Sequence, residues 1–241
     1  MDLDGLRERF ADVTTTNLAD GAQRCEVPVR SGPAQLVAVV PGTRVVGRAA
    51  PARHAGSVDV FLEAFERAEP GDVLVVDNGG RVDESCVGNL VALEARAADL
   101  AGIVIWGLHR DTAQIASIGL PVFSLGSIPN GPLEVVPRSP ETLSPAQVGE
   151  WTVDSDDLVF ADDDGVLFVP VAAATAVLDA AIEIRDAERR QAEQIRGGVS
   201  LREQVRLREY LERRREDPSF TFRQHLEHLE HQEQQGGAAP A

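Results

Sequence analysis

The stretch G-D-V-L-V-V-D-N-G-G at residues 71–80, followed by G-N-L-V-A-L-E-A at 88–95 and A-G-I-V-I-W-G-L-H-R-D at 101–111, decides the fold class. Val73–Asp77 and Ile103–Trp106 are β-branched runs closed by turn-forming residues, the pattern of strands. Between them Leu90, Leu93, Ala97 and Leu100 recur at spacings of three and four, the period of a helix that buries one face. Strand, helix and strand in this order form a βαβ crossover, so part of the sheet is parallel.

Working outward, four more short runs have strand character: Leu36–Val40, Arg44–Gly47, Pro121–Leu125 and Val166–Val169. Asp59–Ala68 places Phe61, Leu62 and Phe65 on one helical face. From residue 171 the composition turns to Ala, Glu and Arg, and a long helix is expected over Val171–Arg196. Gly197-Gly198 breaks it. Ser200 and Glu203 have the spacing of a capping box for a further helix running to Glu216, ahead of Pro218. Phe220, Phe222, Leu226 and Leu229 give one more amphipathic piece. The expected organisation is an α/β domain over 1–170, a helical arm suited to oligomer contacts over 171–235, and a disordered tail over 236–241. His225, His228 and His231 fall every third residue near the end; such spacing can bind a metal, but here they read as surface histidines.

Composition removes several mechanisms. The chain has 241 residues and a net charge of −16, and all 23 of its basic residues are Arg. Without Lys there is no Schiff-base aldolase, no covalent pyridoxal phosphate and no Walker-type phosphate loop. The acidic balance argues against nucleic acid and against anionic membranes. Cys25 and Cys86 form no C-x-x-C pair, so a disulfide framework or a Cys-rich zinc site is not expected. No apolar run is long enough to span a bilayer, and a cytoplasmic protein is expected.

Chemistry-bearing residues concentrate between Asp77 and Asp111. Gly88-Asn89 opens a helix, whose first amides (Gly88, Asn89, Leu90, Val91) suit a carboxylate ligand. Arg110 offers a guanidinium fork to a carboxylate. Asp111 alone is enough for Mg²⁺, which keeps much of its water. Both loops follow successive strands on one edge of the sheet, where α/β proteins bind ligands. An adjacent Arg-Asp pair is also what a helix-capping surface ion pair looks like, and both readings stand at this point. Asp83 and Glu84 could hold outer water or simply solvate a loop. His109, beside Arg110, could act as an acid or base near neutral pH, and reads first as a contact residue or an exposed neighbour; Asp162 and Asp164 read as turn residues.

The three quoted stretches, with L-P-V-F-S-L-G-S-I-P at 120–129, P-G-T-R-V-V-G-R-A at 41–49 and A-D-D-D-G-V-L-F-V-P at 161–170, resemble the RraA-like family over about residues 5–200. The resemblance implies an α/β/α sandwich, assembled as a homotrimer or hexamer. It implies a metal-dependent pyruvate aldolase of the type that cleaves 4-hydroxy-4-methyl-2-oxoglutarate or 4-carboxy-4-hydroxy-2-oxoadipate and decarboxylates oxaloacetate. Some relatives instead regulate a ribonuclease or its helicase partners by protein contact. By this likeness Asp111 is the ligand of Mg²⁺ or Mn²⁺, and Arg110 holds the pyruvate carboxylate. The amides of Gly88, Asn89, Leu90 and Val91 bind that carboxylate from the helix end. A Glu of a neighbouring copy's C-terminal helix, with Glu193 and Glu188 as candidates, approaches the metal. Two positions depart from the pattern: Asn89 and Gln114 stand where acids are usual, so the site carries less negative charge.

Overall fold

The structure, a computed structural model, describes the backbone of residues 3–236 and the side chains of 5–229, 231 and 232. The tail expected over 236–241 falls, past Gly236, outside the described residues. The chain divides into two compact units, Met1–Ile184 and Arg185–Ala241.

The first unit opens with helices α1 (Leu3–Phe10) and α2 (Thr15–Arg24), then short strands β1 (Arg30–Ser31) and β2 (Val37–Ala38). The βα succession follows: β3 (Val45–Arg53), α3 (Asp59–Arg67), β4 (Val73–Asp77), β5 (Ser85–Val87), α4 (Asn89–Ala97), β6 (Gly102–Trp106), β7 (Leu108–His109), α5 (Thr112–Ile118) and β8 (Val122–Ser124). Strands β9 (Ala146–Val148), β10 (Trp151–Val153), β11 (Asp157–Asp162) and β12 (Gly165–Pro170) lead into α6 (Ala174–Arg196).

Eight strands form one mixed sheet in the order β1-β12-β11-β3-β4-β6-β8-β2. Its middle, β3-β4-β6-β8, is parallel, as the crossover predicted. Antiparallel strands close both edges. Alternation along the strands sorts the core. Leu74, Val76, Ile103 and Ile105 face Phe61, Ala92 and Ile115 of α3, α4 and α5. Leu158, Phe160, Leu167 and Val169 pack with Phe10, Leu18 and Leu178 of α1, α2 and α6. The opposite set, Val75, Val104, Phe123, Val159 and Phe168, meets Leu36 and Val148 in a third cluster that the curling sheet encloses. Gly47 is needed in β3, because a Cβ there would lie 2.2 Å from the Gly71 carbonyl oxygen. The fold is the α/β class expected from sequence, with added C-terminal helices.

Within the second unit, α7 (Leu201–Gln204), α8 (Leu207–Glu216) and α9 (Phe222–Gly236) follow the end of α6. The Ser200–Glu203 capping box forms as read. The single helix expected to Glu216 is instead split at Arg206, which adopts a left-handed conformation with φ of 47°. His225 corrects the surface reading of the three histidines. It is 1% exposed among Tyr210, Phe220 and Phe222, with Nε2 2.8 Å from the Val205 carbonyl oxygen. An imidazole ring buries its apolar faces as readily as it binds a metal, which is why spacing alone misplaced it. His228 and His231 are exposed. Among the described residues no helix is long and apolar enough to cross a membrane.

Candidate active site

The loops after β4 and β6 leave the same edge of the sheet and meet through the short parallel pair β5–β7. That pairing sets Arg110 beside Val87, whose carbonyl accepts the Arg110 N–H at 2.9 Å. The next residue, Asp111, is the N-cap of α5 with φ of 60° and ψ of 39°, a left-handed conformation that Asp tolerates better than most residues. Its carbonyl accepts the Ile115 N–H at 2.9 Å. Its side chain does not cap its own helix. It turns to α4, where Oδ2 accepts the Asn89 backbone N–H at 3.2 Å. Oδ1 accepts no hydrogen bond from the described residues.

Of the residues singled out from sequence, Gly88, Asn89, Arg110 and Asp111 are thus brought together. Leu90 and Val91 complete the first turn of α4, where helix geometry supplies no acceptor for their amides. Arg110 Nε lies 3.7 Å from Asp111 Oδ2, with the two side chains 47% and 34% exposed. An ion pair that open holds the chain together weakly and leaves both groups available to a ligand. Arg110 also rests on Gly131, where a Cβ would come within 2.8 Å of Nη1. A cavity of about 320 Å³ opens over Arg110, Asp111, Thr112, Ser127, Ile128 and Pro129. Glu188 and Glu193 lie exposed in the Arg185–Ala241 unit. Gln114 is exposed on α5.

Gly88 lies directly against both side chains. A Cβ there would lie 2.6 Å from Asp111 Oδ2 and 3.1 Å from Arg110 Nε. Gly88→Ala is expected to displace the carboxylate, and a reaction that uses that carboxylate would slow roughly tenfold to a hundredfold, as angstrom-scale misplacement does. The fold is retained, because the crowded atoms are side-chain ends. Steady-state kinetics beside a thermal melt checks this; full activity in a folded Gly88→Ala variant contradicts it.

Three polar residues take roles that sequence did not resolve. Glu84 is 2% exposed and not a solvating group: Oε2 accepts the Leu133 N–H at 2.8 Å, and Oε1 pairs with Arg81 at 3.1 Å. It fastens the segment that carries Gly131. His109 is 4% exposed, with Nδ1 2.7 Å from Ser124 Oγ and Nε2 2.9 Å from Thr112 Oγ1. Burial pushes its imidazole below the usual range, while a Gly126 backbone hydrogen bond and the Asp111 charge act the other way. Asp162, read as a turn residue, is instead the last residue of β11, and it is buried: its carboxylate accepts Thr15 N–H at 2.8 Å and Thr15 Oγ–H at 2.6 Å. Burial drives the Cys86 thiol far up, so Cys86 is no nucleophile.

The donor set decides which metal could be held. Among the described residues no three of His, Cys, Asp and Glu converge, so a cage made of protein ligands is not formed. That does not suit structural zinc. It does suit Mg²⁺ or Mn²⁺, hard cations that keep several waters and bind through one or two carboxylates plus substrate oxygens. Asp111, partly exposed at the cavity and with Oδ1 uncommitted, fits such a cation.

Comparison with known proteins bears on the same loops. Residues 15–168 match the RraA-like family model, described as Aldolase/RraA. Protein DlpA of Legionella pneumophila is 32% identical over 142 residues, covering 59% of this chain and 23% of DlpA. A Bacillus anthracis protein named "Putative 4-hydroxy-4-methyl-2-oxoglutarate aldolase" is 31% identical over 105 residues, 44% of this chain and 65% of that protein. The chain therefore matches less than two thirds of either relative. Among solved structures, Streptomyces coelicolor RraAS2 is described as an unusual member of the RNase ES inhibitor RraA protein family. It superposes with a TM-score of 0.67 at 27% identity, covering 77% of this chain and 94% of that one. An uncharacterized Pseudomonas syringae protein gives 0.69 at 26% identity, over 82% and 95%. The match spans well over half of the sequence and contains both site loops: the chain belongs to the RraA-like family.

Proposed function

We propose that this protein is a divalent-metal-dependent lyase that cleaves 4-hydroxy-2-oxo acids, such as 4-hydroxy-4-methyl-2-oxoglutarate, to pyruvate and also decarboxylates oxaloacetate. The observation that carries the reading is a cavity lined by Arg110 and Asp111, with the Asp111 carboxylate bonded to the Asn89 amide at the amino end of α4. Arg110 and the Leu90 and Val91 amides bind the substrate carboxylate. Asp111 would hold Mg²⁺ or Mn²⁺, which when bound supplies Lewis-acid polarisation of the 2-oxo group. As the C3–C4 bond breaks, the C4 hydroxyl proton passes to water and C4 becomes the carbonyl of the second product; Arg110 stabilises the negative charge on the enolate oxygen until water returns a proton to C3 to give pyruvate. Gly88, lacking a side chain, admits the substrate to the backbone. Asn89 can hydrogen-bond to water but neither carries charge nor takes a proton.

The test is pyruvate release from 4-hydroxy-4-methyl-2-oxoglutarate and from oxaloacetate, with Mg²⁺ or Mn²⁺ and with EDTA. Release that needs the metal supports the reading, and no release from either substrate sinks it. Asn89→Asp adds a carboxylate beside Asp111. It is expected to raise release at limiting metal by roughly tenfold, because cation affinity follows ligand charge. An unchanged or lower rate contradicts the placement of Asn89 near the cation. We place the protein in the cytoplasm as a homotrimer or hexamer, a state that sedimentation equilibrium reads directly. Exposed Leu90, Leu133 and Val135 give copies an apolar surface to share.

A second reading is favoured by the likeness to RraAS2 over most of both chains. Here the protein regulates a ribonuclease or its partners by contact, its net charge of −16 meeting a basic surface. Capture of such a partner that survives Asp111→Ala, with no pyruvate release by the wild type, would select it.

A further inference from the structure

Building on the lyase reading, we infer that the Thr112 hydroxyl is a further recognition element of the site, accepting a hydrogen bond from the C4 hydroxyl of a 4-hydroxy-2-oxo acid. Thr112 lines the cavity beside Arg110 and Asp111. It is held by a chain of buried polar groups whose direction can be worked out. Ser124 has one hydroxyl hydrogen, and its Oγ donates to the Gly126 carbonyl at 3.3 Å. The same oxygen accepts the Gly126 N–H at 3.3 Å. With that hydrogen on the Gly126 carbonyl, we assign His109 Nδ1, 2.7 Å from the same oxygen, as the donor, so that Nδ1 carries the ring hydrogen and Nε2 the lone pair. Thr112 Oγ1, 2.9 Å from Nε2, gives its only hydrogen to the ring.

A hydroxyl committed in this way is left as an acceptor only. It pairs with a donor on the ligand and repels acceptors. The carboxylate and oxo oxygens of a 2-oxo acid are acceptors; the C4 hydroxyl is its donor. Oxaloacetate has no hydroxyl at C4. Thr112 is therefore the element that separates hydroxy acids from the simple keto diacid, and His109 and Ser124 are positioning residues acting through it. Sites that hydrogen-bond a substrate hydroxyl discriminate more strongly than apolar ones.

Two measurements test this. Thr112→Val keeps the shape and removes the hydroxyl. It is expected to lower kcat/KM for 4-hydroxy-4-methyl-2-oxoglutarate about tenfold more than for oxaloacetate, the effect of one lost hydrogen bond. Thr112→Ser restores the ratio. Equal losses on both substrates, or no loss, overturn the inference while leaving the lyase reading intact. Release from neither substrate by the wild type overturns both. Independently of turnover, the ¹⁵N shifts of His109 are expected to show Nδ1 protonated and Nε2 bare. The opposite tautomer turns Thr112 into a donor and overturns the assignment.

Discussion

Asp111→Ala is expected to reduce metal-dependent pyruvate release by about a thousandfold or more, leaving a folded chain. Its size follows from what the carboxylate does under the proposed reaction. It is the single anionic anchor for a cation that stabilises developing charge in a small cavity, and removal of such stabilisation costs a hundredfold to a thousandfold or beyond. At the two neighbouring positions where acids are usual in the family pattern, Asn89 and Gln114 are amides and cannot take over its charge. The structural cost is small. The side chain is one-third exposed, and losing its bond to the Asn89 amide is comparable to losing one helix cap, about 1 kcal/mol. Kinetics and circular dichroism on the same preparation separate the two effects. Wild-type turnover in Asp111→Ala would remove Asp111 from the reaction.

Phe160→Ala is expected to destabilise the first unit by about 3–5 kcal/mol, the cost of deleting a fully buried aromatic ring and leaving a cavity. Phe160 is fully buried in β11 and meets Phe10 edge-on with ring centroids 5.1 Å apart. It joins α1, α2 and α6 to the sheet in one cluster. Total stabilities of domains are only about 5–15 kcal/mol, so this single change removes a large share. A fall in melting temperature of roughly 10 °C is the expected reading for a unit of this size. A shift equivalent to less than about 1 kcal/mol would show that the ring is not in a close-packed core.

The parallel centre of this fold was readable because its strands are buried on both faces. Val73–Asp77 opens with four consecutive apolar residues, three of them valines, and has the bounds that sequence suggested. Strand β11 was not readable. Its Leu158–Ala161 core is short and set among acidic residues that resemble a loop. Two of those acids are buried by partners remote in sequence: Asp157 by Arg30, and Asp162 by Thr15. Helix α2 has only Leu18 as a large apolar residue on its buried face, beside Thr15, Gly21 and Ala22, and is opened by the Thr14–Asn17 capping box. At the site, Gly88, Asn89, Arg110 and Asp111 were readable because they end successive elements on one sheet edge. The His109–Ser124–Thr112 chain and the seat of Arg110 on Gly131 depend on how β5, β7 and the segment after β8 come together. Those strands have two or three residues, too few for a periodic signal.

The central claim is that Asp111 and Arg110 form one site for a hydrated divalent cation and a 2-oxo acid carboxylate. Titration of the wild type with Mn²⁺ in the presence of pyruvate, followed calorimetrically and repeated on Asp111→Asn, tests it most directly. One Mn²⁺ per chain is expected, bound more tightly when pyruvate is present and lost in Asp111→Asn. Binding that is equal in both proteins, or indifferent to pyruvate, would contradict it.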